Sequence, residues 1–360
     1  VPTLKIKRKI EGKLAVIYEE NLQMEASGYA AAMADSFKEP VLLATFRTGE
    51  TDPEVRIKEK IVQIKDKQGN WQAVRAILRY ITQQPWNRFP IQTRTIVFNP
   101  IITCLAGGRN KMVADKAYSS FNSELIQNGL KIVTPETIWD VDKKDVPIWV
   151  RKLGGKAVIK TPYSNAGQGI FTIVNQKELD HFMNCNIRYS RFIIQNLIGN
   201  RQWSSKGSIG SYYQVGTVPN NKLESYALDF RMMIHSTDEG YRPLSIYARR
   251  ARKPMVPELK KDESSWNILG TNLSSVNENG IWESDVSRLM LMDRKGFNQL
   301  GIGLDELIDA YLQTVLTSIA IDKMARNLIN TQGNFRLKLF SSLNNDPVLL
   351  DEIMKGSSKN

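Results

Sequence analysis

Cysteine and histidine are nearly missing from this 360-residue chain, with two of each: Cys104, Cys185, His181 and His235. Two cysteines exclude a disulfide scaffold and a four-cysteine zinc site, and they suit a reducing compartment. Two histidines exclude a histidine-rich metal centre. No Ser-His-Asp or Cys-His set can be assembled from so few, so a dedicated nucleophile is not expected. Apolar runs stay short of the roughly 18 residues of a membrane span, and no segment reads as one. Internal repeats, low-complexity tracts, an initiator Met and the apolar stretch of a signal peptide are missing as well. Beginning at Val1, the sequence reads as a trimmed chain or as a fragment of something longer, and a cytoplasmic location is expected.

What is present is an ordinary globular composition, 42% hydrophobic and 24% charged, which excludes a mostly disordered chain, a coiled coil and a collagen-like repeat. The length allows about two or three domains. The charge balance stands out: 49 Lys and Arg against 37 Asp and Glu leave +12. Such a surface favours nucleic acid, acidic lipid, nucleotide phosphates or an acidic substrate. Solubility alone is the plainer alternative, because the charge is spread along the chain and its densest knots, 5–9 and 249–253, are short.

Lys13–Tyr18 reads as a buried strand, 26–37 as a helix of small residues, and 41–46 as a second strand after Pro40. Val74, Ile77, Leu78 and Ile81 share one helical face, which predicts an amphipathic helix over 71–81, ended before Pro85. Residues 95–98 form the next strand. Together these make 1–105 a small α/β domain with a partly parallel sheet. A helix follows over 110–128, with Gly129 just past its end. Strand and helix alternate over 156–230, a long helix covers 304–329, and two strands, 335–340 and 348–350, close the chain. The expected class is α/β, with lobes over 106–200 and 201–360 after the first domain.

The segment richest in chemistry is 156–170. A strand ends in Lys160, a small polar loop with Ser164, Gly167 and Gly169 follows, and a second strand takes over. Glycines let backbone N–H groups approach phosphate oxygens, and the lysine supplies a compact positive charge for the same oxygens. It is not a P-loop, because the lysine precedes the loop and a strand follows it. Taken alone, the pattern is more often that of an ordinary hairpin turn.

This segment resembles the phosphate-covering hairpin of the ATP-grasp superfamily, where a strand ending in Val-Val-Lys-Pro runs into a Gly/Ser-rich loop. Upstream, Asp115-Lys116, a helix and Gly129-Leu-Lys-Ile-Val-Thr-Pro135-Glu-Thr137 resemble its Asp-Lys … Gly-Ile-x-x-Pro-x-Thr element. The resemblance implies that Lys116 reaches the nucleotide phosphates. Lys111 is a rival, because the spacing to Pro135 is a few residues long, and a solvated helical position is the alternative for both. Residues 192–199 sit where the family has a hydrophobic strand followed by Glu-Glu-x-Ile-x-Gly. The backbone of Gln195, Asn196 and Leu197 would then hold the adenine edge, without the two acidic side chains. Residues 228–234 and 245–250 resemble Asp-x-Arg-x-x-Val … Ala-x-x-Arg. This implies Arg231 and Arg250 at the transferred phosphate, with Arg249 and Arg252 as alternatives to Arg250 and a cross-strand ion pair as the plain reading of Asp229. Asn272 and Ser274, with Asn267, fall in the place of the family's substrate-facing loop. The family's magnesium ligands lie on two late strands, an acid on the first and Glu-x-Asn on the second. Residues 335–340 offer no acid. Glu352 takes the place of that Glu, with Met354 for the Asn, Asp351 beside it and Asp346 in the turn before. Mg2+ is expected on Glu352 and Asp351, or else a metal position is missing.

The resemblance covers residues 105–355. It implies an ATP-dependent ligase that joins a small-molecule carboxylate to an amine, an amino acid or peptide, through an acyl phosphate, with ATP and Mg2+ as cofactors. An ATP-grasp-like nucleotide-binding protein without ligase activity is the alternative. A basic nucleic-acid-binding α/β protein is a third, set back because the seven tryptophans are not interleaved with Lys and Arg in any recognisable module. No membrane partner is expected, and a homodimer is left open.

Overall fold

The computed structural model describes residues 10–18, 23–45, 54–80, 91, 93–164, 167, 169–200, 202–208, 210, 213–260, 263–276, 282–291 and 293–354. The fold is α/β. It divides into two compact units, one of Val1–Arg109 with Asp322–Asn360 and one of Asn110–Ile321.

The first unit is built on β1 (Lys13–Tyr18), α1 (Gln23–Phe37), β2 (Val41–Thr45), β3 (Val55–Lys58), β4 (Ile61–Lys65), β5 (Trp71–Tyr80), β6 (Ile96–Phe98) and the short α2 (Ile101–Thr103). The sheet order is β2-β1-β5-β4-β3, with β6 also beside β5. The pairs β1/β2, β1/β5 and β5/β6 are parallel, and β3/β4 and β4/β5 are antiparallel. Side chains alternate along β1, so Ala15 and Ile17 enter one core with Val62 and Ile64, while Val16 and Tyr18 pack on Ala26 and Ala30 of α1.

The amphipathic helix expected over 71–81 is instead the strand β5. The register against β1 slips between Lys13↔Val74 and Leu14↔Ala76, so Arg75 is the extra residue of a bulge. The bulge puts Val74 and Ile77, three positions apart, into the same core, which reproduces a helical spacing in a strand. Leu78 and Tyr80 face the other core. Ile81, the fourth member of that expected face, lies outside the described residues, as does Phe46 at the end of the second strand.

The second unit begins with α3 (Lys111–Leu125), β7 (Thr137–Asp142), α4 (Val146–Lys152), β8 (Ala157–Lys160), β9 (Ile170–Ile173), α5 (Gln176–Asn184) and β10 (Arg191–Gln195). Asn110 caps α3 by accepting from the Val113 N–H at 3.2 Å, and Gly129 turns left-handed at φ 68° just past its end. The four strands make an antiparallel sheet in the order β7-β10-β8-β9, with Val146, Val150, Ile159, Phe182 and Phe192 in its core. A second sheet, β11-β12-β15, is formed by β11 (Leu228–Thr237), β12 (Gly240–Arg250) and β15 (Leu289–Leu291). The short α6 (Trp266–Leu269), the hairpin of β13 (Ser274–Val276) with β14 (Trp282–Ser284), and α7 (Arg294–Leu300) complete it before the long α8 (Leu304–Asn327).

Most of 335–340 and all of 348–350, expected as strands, are helical: α9 (Leu337–Leu343) and α10 (Pro347–Met354). The Asp346 carboxylate accepts from the Val348 and Leu349 N–H groups at 3.0 and 3.1 Å and so starts α10 with proline in its first position. Asp-Pro was a helix start, and the apolar Val-Leu-Leu after it is one turn of a buried helix.

Candidate functional site: the lysine-ended hairpin

Lys160 ends β8, with Ile193 and Ile170 as its neighbours across the two flanking strands. Its ammonium donates to Gln195 Oε1, and Gln195 Nε2 in turn donates to Thr137 Oγ1 at 2.8 Å. Among the described residues Lys160 makes no ion pair. Burial lowers its pKa to about 8, against a smaller upward pull from the Asp115 carboxylate. A desolvated ammonium held by a neutral carboxamide is a positive charge with no counter-ion in contact.

The hairpin that follows is closed by the Thr161 N–H to Gly169 C=O bond at 2.8 Å. Gly167 and Gly169 both take left-handed backbone, φ 77° and 64°. A Cβ at Gly169 would strike Thr161 Oγ1, and one at Gly167 would sit 3.0 Å from the Trp266 ring and 3.3 Å from Asn272 Nδ2. The loop therefore lies against Asn272, so two expected site residues distant in sequence are neighbours. Asn165, Ala166 and Gln168 of this loop lie outside the described residues. Ser274 is on β13, and only its backbone is described.

The two rival lysines of α3 take different places. Lys111 Nζ donates to Ser164 Oγ at 2.7 Å and to Ser164 C=O at 3.2 Å, and its N–H bonds Pro162 C=O at 2.8 Å. Lys116 lies 5.8 Å from the centre of the Trp139 ring. Burial lowers the Lys116 pKa, with Asp140 and then Asp115 acting the other way. Asp115 accepts from Trp139 Nε1. Lys111, the rival candidate, is thus hydrogen-bonded to the hairpin.

At the linker after β10, Asn196 N–H donates to Glu136 C=O at 3.1 Å. Leu197 N–H donates to Ser205 Oγ at 2.7 Å, and Leu197 C=O accepts from Ser205 N–H at 3.0 Å. These three backbone groups, expected to meet a base edge, are engaged within the protein. Gln195 serves Lys160 through its side chain. The carboxamide of Asn196, 3% exposed, has no hydrogen bond to the protein among the described residues. It packs where a Cβ on Gly207 would collide with it.

Asp229 and Arg249 face each other across β11 and β12 and form a two-pronged ion pair, Nε–Oδ1 3.0 Å and NH2–Oδ2 2.5 Å. Arg231 reaches the same carboxylate at 3.5 Å and keeps half its side chain exposed. The plain cross-strand reading holds for Asp229. Arg250 points elsewhere: its guanidinium stacks 4.7 Å over the Tyr226 ring and lines a large cavity to which neither Lys111 nor Lys160 contributes. Arg252 is exposed. Sequence reasoning missed Arg288, 3% exposed, which pairs with Asp285 at 2.9 Å and donates to the Asn272, Leu273 and Arg250 carbonyls. Only the Asp285 three positions before it could have signalled a structural arginine.

The acids expected to hold Mg2+ belong to the other unit. On α10 they are consecutive helical residues, whose side chains diverge by about 100°. Asp351 is exposed and Glu352 is 7% exposed. Asp346 is occupied as the cap of α10. Among the described residues no group of three or more His, Cys, Asp or Glu could hold a metal ion. The pair does not fit a shared magnesium site. No described helix is long and apolar enough to cross a membrane.

No protein-family model and no curated protein matches the chain. Solved structures do. An ATP-grasp RimK-domain protein from Sphaerobacter thermophilus is 12% identical, over 65% of this chain and 90% of that one, with a TM-score of 0.38. The macrocyclase MdnC from Microcystis aeruginosa, bound to its precursor peptide MdnA, is 13% identical over 86% of this chain and 99% of that one, with a TM-score of 0.37. N5-carboxyaminoimidazole synthetase from Staphylococcus aureus, complexed with ADP, is 11% identical over 77% and 70%, with a TM-score of 0.40.

Proposed function

We propose that the hairpin of β8 and β9 holds the phosphates of ATP and that the chain is an ATP-dependent ligase joining a carboxylate to an amine. The observation that carries the reading is Lys160, a half-buried, desolvated ammonium with a neutral partner and no ion pair among the described residues. Triphosphate would supply the missing charge. Lys111 would order the loop through Ser164, and the left-handed turns at Gly167 and Gly169 would let backbone N–H groups approach phosphate oxygens. Catalysis of phosphoryl transfer is mostly positioning and charge neutralisation, which lysines and amides can contribute without a protein nucleophile. In the reaction a carboxylate oxygen attacks the terminal phosphorus and ADP leaves. The amine then attacks the acyl carbon and phosphate leaves. With this reading go a first domain over 1–105 and lobes over 106–200 and 201–360. A second reading, nucleotide binding without ligation, is favoured by the divergent Asp351 and Glu352.

Calorimetry with ATP tests the phosphate site. Lys160→Ala should bind about ten- to a hundredfold more weakly, the loss of one charge-assisted hydrogen bond, with an unchanged circular dichroism spectrum. Unchanged affinity would remove the assignment. ADP release that requires both a carboxylate and an amine supports the ligase, and binding without turnover supports the second reading.

A further inference from the structure

A cavity of about 1110 Å3 opens in the second unit between the 217–226 segment, the end of β12, the strand β15 and the start of α7. It is larger than the roughly 300–1,000 Å3 of ordinary small-molecule sites. Its charges are unequal in their freedom. Glu224 accepts from Asn220 Nδ2 at 2.9 Å and from the Tyr226 hydroxyl at 3.3 Å, and Asp293 accepts from the Gly296 N–H at the start of α7. The cations Lys222, Arg250 and Lys295 make no ion pair among the described residues. Arg250 is half-buried and oriented by its stacking on Tyr226, while its chain neighbour Arg249 is fully matched by Asp229. The lining therefore carries three cations against two carboxylates, a net charge of +1, with the carboxylates held by neutral donors and the cations unpaired among the described residues.

Its remaining wall suits a polypeptide. Among the described residues β15 pairs with no strand other than β12. The carboxamides of Asn221, Asn298 and Gln299 offer donors and acceptors that match peptide bonds. Val218 and Leu291 add exposed apolar surface, 47% and 61%. We propose that this cavity binds an extended acidic peptide, with its backbone along β15 and its carboxylates on Arg250, Lys222 and Lys295. Such binding goes beyond the nucleotide reading and needs no nucleotide.

The test is fluorescence anisotropy of a fluorescein-labelled peptide alternating Glu and Val, titrated with the full chain in the absence of ATP. A peptide alternating Lys and Val is the control. The acidic peptide should bind and the basic one should not. Arg250→Gln should weaken binding about tenfold, since a charge-assisted hydrogen bond is lost, and Lys295→Gln should weaken it less. Leu291→Asp, at an exposed wall position, should also weaken it and serves if Arg250→Gln does not fold. Lys160→Ala should bind the peptide as wild type does, so failure of the nucleotide site leaves this result intact. Binding indifferent to all three cavity variants would reduce the effect to net charge and overturn the proposal. Equal displacement by glutarate, inorganic phosphate or a single-stranded oligonucleotide would also overturn it.

Discussion

At the scale of single residues, the charges divide into those with partners and those without. Asp229 and Arg249 neutralise each other, as do Asp285 and Arg288, whereas Lys160 is half-buried beside a carboxamide. With a pKa near 8 in place of the ordinary 10.5, Lys160 binds fewer protons folded than unfolded across that interval. Stability should therefore rise as pH goes from about 8 towards 10.5, and Lys160→Met should lose that rise in urea melts taken across the interval. An anionic ligand favours the charged form, so ATP affinity should be flat below about pH 8 and fall above it, with proton uptake on binding near pH 8. Calorimetry in buffers of different ionisation enthalpy reads that uptake, and its absence would contradict the assignment. Lys160 was legible from the sequence because its type and its place at a strand end are local facts. The choice between Lys111 and Lys116 was not. It depends on which turn of α3 faces Ser164, a tertiary matter that five residues of spacing along one helix do not decide. Arg250 was legible as a residue but not in its surroundings, for the same reason.

At the scale of elements, the hairpin is the part most tightly specified. Gly169 combines a left-handed backbone with contact against the Thr161 hydroxyl, which is itself buried without a hydrogen bond among the described residues. Gly169→Ala should cost about 1–3 kcal/mol, the backbone and the collision each contributing. Adding Thr161→Ala should recover the collision part and leave the backbone part, as urea melts of the two variants would show. A double variant no better than the single would place all of the cost in the backbone. Strands with a local apolar run, β1, β2, β8 and β10, were legible, as were the capped helix α3 and the long α8. Three elements were misread, β5, α9 and α10, and for β5 and α10 the physical reason is definite. A bulge at Arg75 gave β5 a helical spacing, and the Asp346-Pro347 start of α10 looked like a turn before a strand. The error at α10 mattered more, because alternation along a strand would have placed Asp351 and Glu352 on opposite faces, whereas a helix sets them about 100° apart.

At the scale of the whole molecule, the class was legible from composition and element order, and +12 was a pointer to anions without an address. The structure distributes part of that charge to two places in the second unit, the hairpin lysines and the cavity around Arg250. The central claim is that ATP phosphates lie at the hairpin. An acyl-phosphate derivative of ATP tests it most directly, because a lysine amine near the terminal phosphate takes the acyl group and the nucleotide leaves, marking the residue covalently. Tryptic mass spectrometry should find the label on Lys160 or Lys111, and excess ATP should abolish it. Label spread over surface lysines and unmoved by ATP, with neither Lys160 nor Lys111 among the protected sites, would contradict the account.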